Sequence, residues 1–501
     1  MVSFKTKSER RAQGSVGNMV GNPQHWGTYP SVYSWTRSKF CKPAQRKQIL
    51  ATFWSNIPHR PNSPLTSGAR MQISRRQALG AVGAFSLGAA LTSCAGFARP
   101  ASTPATGELT FTTWGSDSEL VGFRKAIAGF ESANAGAKIT LNVVPYQQIY
   151  PTVDAQLQSN TAPDIFRVDY RNFGRYAGSK QLLNLEPLLD ASVGVSFTDA
   201  LWRAVQFDGK PYGVPHHTDT TAILYNQAAF AAAGITSVPT TLETAWTWDE
   251  FEKVALTLQR KLPAGKYPFA YNWQGQGAAR WLNWLFQADG RFLDQKLRFP
   301  AIDSEAGRAA IDFTKSFFTR KLVPANNSVK SSTYASDLFF SETVAMTFAG
   351  AFLIPDAAKL ANFEWGATFS PRDKRGGGDL GGNALVATAG TTKKTLAAKF
   401  LAYMVGQKTM RDFCATSSLL PTRKDLVAKG IEFTVRPELS KIFVGQASTV
   451  RAADTAQVAS PAMGAITTVL SDQLEQAFIG GQTTKDTLAG MTAGITQALS
   501  R

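Results

Sequence analysis

Residues 108–169, ELTFTTWGSDSELVGFRKAIAGFESANAGAKITLNVVPYQQIYPTVDAQLQSNTAPDIFRVD, decide the fold. Leu109–Trp114 mixes β-branched and aromatic residues and reads as a strand. After Ser116–Ser118, which offer a cap, Leu120, Phe123, Ile127 and Phe130 recur at helical spacing until Gly136. Lys138–Val144 is strand-like again, Ile149, Val153 and Leu157 form a second helical stripe, and Asp164–Val168 (DIFRV) is a third short strand. Strands that alternate with helices predict a parallel α/β sheet, because parallel neighbours need a crossover. Such a sheet takes its ligand at the carboxyl ends of its strands.

Downstream, Trp248–Leu262 reads as a helix opened by the capping box Thr247-Trp-Asp-Glu250. Thr343–Phe348 is a strand, Thr395–Val405 a helix, and Ala462–Leu499 a helical stretch with Ala, Leu and Ile stripes. No tandem repeat is present, and a length of 501 residues suits two domains or more.

The net charge of +17 invites a nucleic-acid reading, but its distribution argues against one. Thirteen Lys and Arg precede Cys94 against one acid, Glu9, so twelve of the seventeen net charges lie there and five in the rest. No Lys/Arg run or aromatic-basic repeat follows. Three cysteines, Cys41, Cys94 and Cys414, make no disulfide framework, and Cys414 in an apolar segment reads as a buried small hydrophobe. After residue 60 the histidines are His216 and His217, too little to build a transition-metal cluster, so no metal and no cofactor is expected.

Residues 71–96, MQISRRQALGAVGAFSLGAALTSCAG, have a charged start, a short apolar run and a small-residue end. That is the grammar of a secretory signal, and Ala78–Leu91 is too short for a permanent span. Leu91-Thr-Ser-Cys94 resembles the lipobox of bacterial lipoproteins, which implies cleavage before Cys94 and lipidation of its thiol. Ser74–Leu79 resembles a twin-arginine motif, with departures at Ala78 and Gly80. Residues 1–70 then read as a disordered or non-native upstream extension, 71–93 as the signal peptide, and 94–107 as a lipidated, flexible tether.

From Glu108 to near the C-terminus the chain resembles the extracellular solute-binding proteins of bacterial carbohydrate ABC importers, the group that includes maltose-binding proteins. The landmarks are Thr161-Ala-Pro-Asp-Ile-Phe166, Leu182–Asp190 (LLNLEPLLD), Asp208–Pro215 (DGKPYGVP), Ile223-Leu-Tyr-Asn226, Pro239-Thr-Thr-Leu242 before Trp248-Asp-Glu-Phe251, and Ala345–Gly350 (AMTFAG), in that order. The resemblance implies an α/β, two-lobed type II periplasmic-binding-protein fold with the ligand between the lobes. Lobe 1 would comprise 107–217 plus 367–415, and lobe 2 would comprise 223–362 plus 422–501. It implies a monomeric, exported, non-enzymatic protein which, with the lipobox, would be lipid-anchored on the outer face of the plasma membrane, or else periplasmic. Its partners would be a saccharide and the permease subunits of an ABC transporter.

A pyranose has apolar C–H faces and a hydroxyl rim, so its site needs flat aromatics and planar hydrogen-bonding groups. Trp114 and Trp273 stand at loop positions that suit the first role. Trp281 fits either a platform or, three residues before Trp284 on a helix, the core. For the rim the candidates are Asp117, Asp169 with Tyr170 beside it, Asp219, Asn383 and Arg423. Asp117 suits a helix cap equally well. Gly350, Gly381 and Gly382 would let backbone approach a ligand, or simply serve turns. Two rivals stay open. A secreted carbohydrate-active enzyme would need a carboxylate pair such as Asp117 and Asp169, but no G-x-S-x-G elbow, H-E-x-x-H or Walker loop is present in the body. The formal G-x-G-x-x-G at Gly376–Gly381 lacks the flanking strand and helix of a dinucleotide site. A binder of glycerol phosphate, polyamine or another non-sugar solute is the second rival, for which Arg167 and Arg423 are the candidate cations.

Overall fold

A computed structural model of the protein describes residues 106–273, 277–378 and 381–500. The upstream extension, the signal peptide, Cys94 and the tether up to residue 105 lie outside the described residues.

The opening stretch forms β1 (Gly107–Thr113), α1 (Asp117–Ala133), β2 (Ala137–Val143), α2 (Tyr146–Gln158), β3 (Ile165–Asp169) and α3 (Tyr170–Gly178). Ser116 caps α1 in a capping box with Glu119, and the helical stripe read in the sequence turns Phe123, Ile127 and Phe130 inward. The Phe123 ring meets Phe111 of β1 at 5.4 Å, and the Phe130 ring meets Phe400 of the helix Lys394–Met404 at 5.1 Å. Each such buried ring contributes roughly 1.5–3 kcal/mol. A small hairpin, β4 (Gln206–Phe207) with β5 (Lys210–Pro211), then leads into β6 (Gly213–His217). Next come β7 (Thr221–Asn226), β8 (Tyr267–Ala270), β9 (Val344–Gly350), β10 (Trp365–Thr368) and β11 (Asn383–Ala387).

Two sheets result, ordered β2-β1-β3-β11-β6 and β10-β7-β9-β8. The first is parallel through β2, β1 and β3, as the alternation predicts, with β1 and β2 in register from Gly107↔Ala137 to Thr113↔Val143. It is not parallel throughout, because β11 runs antiparallel between β3 and β6. The cause is topological. The chain leaves this sheet at the carboxyl end of β6 and re-enters at the same end, so the returning strand must point the other way.

Three residues, Thr218–Thr220, separate β6 from β7, and residues 369–382 carry the chain back from β10 to β11. A third passage lies beside the first: Thr218 N donates to Leu420 O at 2.9 Å and Leu420 N to Thr218 O at 3.1 Å. Gly381 and Gly382, at the end of the return segment, are pressed against the same place. Gly382 sits at φ +94, where a Cβ would strike the carbonyl of His217 and lie 2.5 Å from the Cα of Thr218. Glycine is therefore required there by close packing of the passages as well as by backbone conformation.

The helix expected at Trp248–Leu262 runs Trp248–Lys261, with the Thr247–Glu250 capping box formed. The C-terminal stretch is two helices, Met463–Phe478 and Thr484–Leu499, separated around Gly481 at φ +74. They share a core with the helix Glu305–Thr319 and with Trp273, Trp281 and Trp284. Cys414 is buried and unpaired by any disulfide, as its apolar setting suggested. Among the described residues no helix is long and apolar enough to cross a membrane.

Candidate functional site

A cavity of about 570 Å³ lies where the two sheets meet, within the roughly 300–1,000 Å³ of small-molecule sites. Residues just beyond strand ends build it. Trp114 follows β1, Tyr146 follows β2, Asp169 ends β3, and Asp219 follows β6. From the second sheet, Asn272 follows β8 and Phe352 follows β9. Parallel strands aim all their carboxyl ends one way, and the cavity occupies that edge.

Trp114 is half-buried and carries the aromatic face, its ring 5.2 Å from that of Tyr146. Beneath it Arg167, on the buried strand β3, donates from Nη1 to the Trp114 carbonyl at 2.8 Å and places its guanidinium 4.4 Å from the ring centroid. Its Nη2 pairs with Glu119 at 2.6 Å, with both side chains shielded from water. A buried charge demands this kind of partner, so Arg167 is a strut for Trp114 and Glu119 its counter-charge.

Asn383, at the start of β11, joins Arg167 to Asp169. With its amide oriented to satisfy its neighbours, it donates to Asp169 Oδ1 at 2.9 Å. Its oxygen accepts from Arg167 Nη2 at 3.0 Å and from His217 Nε2 at 2.9 Å. That makes Nε2 the protonated nitrogen of His217, whose Nδ1 then accepts from His216 Nδ1 at 3.1 Å. Both imidazoles stay neutral. Burial, and then the charge of Arg167, pushes His216 down to about 3 and His217 well below its ordinary value. Asp169 Oδ2 accepts from the hydroxyls of Tyr146 at 3.0 Å and Tyr150 at 2.7 Å and from Asn172 Nδ2 at 3.3 Å. Burial and the Asp169 charge raise both phenols above their ordinary range, so they remain donors. Asp219 accepts from Ala351 N at 3.0 Å through Oδ1, fixing the short helix Ala351–Leu353 that presents Phe352.

Of the residues picked from sequence, Trp114, Asp169, Asp219, Gly382 and Asn383 line the cavity, together with Gly381 and Arg167. Six do not. Trp273, expected on a reachable loop, is 1% exposed and packs on Tyr271 and Phe478, because the C-terminal helices cover that loop. Trp281 is fully buried, donating from Nε1 to Thr314 at 3.0 Å, which resolves its double reading in favour of the core. Tyr170 is buried behind the cavity, its hydroxyl donating to His217 O at 3.0 Å. Arg423 is turned to its own neighbour Asp425, at 3.0 Å from Nε. Gly350 does not reach the cavity; its missing side chain leaves room for the Asp219 carboxylate and the Phe352 ring. Asp117 opens α1 on the surface, Ser116 being the cap, and meets Lys359 at 3.3 Å across the rim. A second rim contact runs from Gln147 Nε2 to Tyr334 Oη at 3.1 Å. Unanticipated lining residues include Tyr146, Arg171, His217, Asn272, Arg280 and Phe352. For Tyr146, Asn272 and Phe352 the signal was available, since each stands within three residues of a strand's carboxyl end.

Among the described residues no nucleophile and base face each other here. Glu119, Asp169 and Asp219 hold neighbouring groups in place, and the arrangement provides an aromatic surface ringed by fixed donors and acceptors. This is equipment for holding a polar solute.

A family model described as bacterial extracellular solute-binding protein matches residues 115–411. The diacetylchitobiose binding protein DasA of Streptomyces coelicolor is 24% identical over 332 residues, covering 63% of this chain and 74% of that protein. The GacH receptor of Streptomyces glaucescens, solved unliganded and with acarbose, superposes with a TM-score of 0.67 at 21% identity, over 79% of this chain and 99% of that one. UgpB from Mycobacterium tuberculosis, solved with glycerophosphocholine, gives a TM-score of 0.66 at 22% identity over 79% and 99% of the two chains. At such identities the structural likeness speaks for the fold, which is the two-lobed type II periplasmic-binding-protein fold. Because the matching segment spans more than half of its length and the body shares that fold, the chain belongs to the bacterial extracellular solute-binding protein family, whose members bind and do not catalyse.

Proposed function

We propose that this protein is the lipid-anchored receptor of a carbohydrate ABC importer, capturing a sugar or oligosaccharide outside the membrane and delivering it to the permease. The observation that carries the reading is the cavity itself: the Trp114–Tyr146 aromatic face is bordered by Asp169, Asp219, Asn272 and Asn383. An aromatic face suits the C–H side of a pyranose, and planar carboxylate and amide groups suit its hydroxyls. Family membership supports export, and the carbohydrate ligands of DasA and GacH support a saccharide.

In this reading lobe 1 carries the five-stranded sheet, lobe 2 carries the four-stranded sheet with β10, and the passages at Thr218–Thr220, Gly381–Gly382 and Leu420 form the hinge. Ligand contacts from both lobes favour the closed state, and the closed monomer is the form the permease recognises. Lipid on Cys94 and the tether to residue 107 would hold the body close to the membrane.

A thermal-shift screen against mono- and oligosaccharides, amino acids and polyamines tests the proposal. A ligand at a hundred times its Kd adds about 2.7 kcal/mol of apparent stability. A saturable shift with a saccharide that is recovered unchanged is the expected result. Shifts confined to non-saccharides, or conversion of the sugar, would overturn it. Labelling of the expressed chain with a radioactive fatty acid, abolished by Cys94→Ala, tests the anchor.

A further inference from the structure

Among the described residues, six side chains lining the cavity end in a carboxylate or a carboxamide, and they divide by side. Those on the side of the first sheet are engaged in the wall. Glu119 holds Arg167, Asp169 takes two phenols, and Asn383 bridges Asp169, Arg167 and His217. Asp219, in the passage between the sheets, holds Ala351 N. The two on the side of the second sheet differ. Asn272, two residues beyond β8, is 9% exposed, and among the described residues its amide has no hydrogen-bond partner. Asp356, in the helix Ile354–Leu360, accepts no hydrogen bond from a described residue either. Burial and the charges of Asp117 and Glu119 push its carboxyl up, and Lys359 opposes them. Buried amides are nearly always hydrogen-bonded, so one that lines a cavity with donor and acceptor both unused is prepared for what the cavity takes.

We propose that Asn272 and Asp356 determine which saccharide is held, taking its hydrogen-bonding groups from the second lobe while the first lobe supplies the aromatic face. This rests on the solute-capture reading above and assigns its specificity. A carboxamide offers a donor and an acceptor side by side, which two neighbouring hydroxyls or one acetamido group match. A carboxylate only accepts, so Asp356 calls for a hydroxyl or N–H whose hydrogen points outward from the ligand. An analogue that lacks the matching group leaves the protein's own group unpaired once water is shut out, and a site built this way rejects such an analogue strongly. Selection is then a property of the closed state, since only there do both lobes touch the ligand.

The test is calorimetric titration of the full chain with glucose, galactose, cellobiose, xylobiose and N-acetylglucosamine, each beside analogues that lack one hydroxyl or the acetamido group. For the sugar that binds, removing a group that Asn272 or Asp356 reads should weaken binding about ten-fold or more. In Asn272→Ala one of these parent-to-analogue ratios should fall close to one, and in Asp356→Ala another should. Asn272→Ser serves where alanine removes binding altogether. A variant that merely loosens the fold weakens parent and analogue alike and leaves their ratio unmoved. Whether the ratio that depends on Asn272 belongs to a hydroxyl or to the acetamido group identifies the pair its amide reads. Asn326→Ala, the same change on an exposed turn, should leave every ratio intact. Ratios that either cavity variant leaves unchanged overturn the inference and leave sugar capture standing. No binding by any sugar of the series would overturn the capture of saccharides along with it.

Discussion

Replacing Glu119 by Gln tests whether the wall of the cavity is held by charge. Glu119 does two jobs with two oxygens: Oε2 accepts from Ser116 N at 2.9 Å, closing the capping box of α1, and Oε1 takes Arg167 Nη2 at 2.6 Å. An amide has one acceptor, so in the variant its NH2 must face either the Ser116 N–H or the guanidinium, donor against donor. Arg167 would then be a buried cation without its counter-charge. Breaking a buried pair in this way costs about 3–5 kcal/mol, and we take about 3–4 because Arg167 keeps its bond to the Trp114 carbonyl. Unfolding entropy near 2.1 cal/mol/K per residue gives about 0.8 kcal/mol/K for a body of about 400 residues, so Tm should fall by about 4–5 °C. In the double variant Glu119→Gln, Arg167→Met the stranded charge is gone, and its loss should be smaller than the sum of the two single losses by about 2 °C or more. Differential scanning calorimetry of the four proteins closes the cycle. A Glu119→Gln loss under 1 °C, or strict additivity, would refute the idea that the pair is an electrostatic strut.

Three further outcomes are expected. Trp114→Ala should weaken the binding of whatever saccharide the screen identifies by about 10- to 100-fold in calorimetric titration, because it removes the aromatic face; unchanged affinity would mean that the ligand sits elsewhere. Below pH 6.5 the unfolded chain protonates His216 and His217 while the folded chain, with His216 near 3 and His217 lower still, does not. The stability from these two rings is therefore complete above about 6.5 and is lost as pH falls toward 3, by up to about 1.4 kcal/mol per pH unit for each. His216→Phe, which keeps the stacking on Phe123, should roughly halve the slope of Tm against pH between 6.5 and 5, and an unchanged slope would exclude this account. Gly382→Ala should cost about 1–3 kcal/mol, through a positive φ and the overlap with His217, and lower Tm by about 1–4 °C; a neutral effect would show that the passages are looser than described.

How much could be read beforehand depended on how local the signal was. The α1 stripe, the Thr247 capping box and the burial of Cys414 are set by near neighbours, and each was legible. So was the logic of the site. Trp114 and Asp169 were found because each stands at the carboxyl end of a strand, and the same rule applied to β2, β8 and β9 leads to Tyr146, Asn272 and Phe352. Trp273 failed because what covers it, Phe478 of the helix Met463–Phe478, comes 205 residues later, and no local pattern reports that contact. Arg423 failed for the opposite reason: its partner Asp425 is two residues away, and the pairing could have been read. The approach of Arg171 and Arg280 to one cavity is a product of two separate sheets. Neither residue's surroundings in the chain announce the other.

The contact between Asp117 and Lys359 has a consequence for where this protein works. Both side chains are largely exposed, 69% for the lysine and 86% for the aspartate, so the pair is worth at most about 1 kcal/mol and yields to dissolved ions. One kcal/mol is about a five-fold change in the balance between two shapes. The cytoplasm buffers its ionic strength, but the medium outside a cell does not, so the salt content of that medium would set how readily this rim stays shut. The grip on a bound solute would then drift with external salt, before any change in the solute itself.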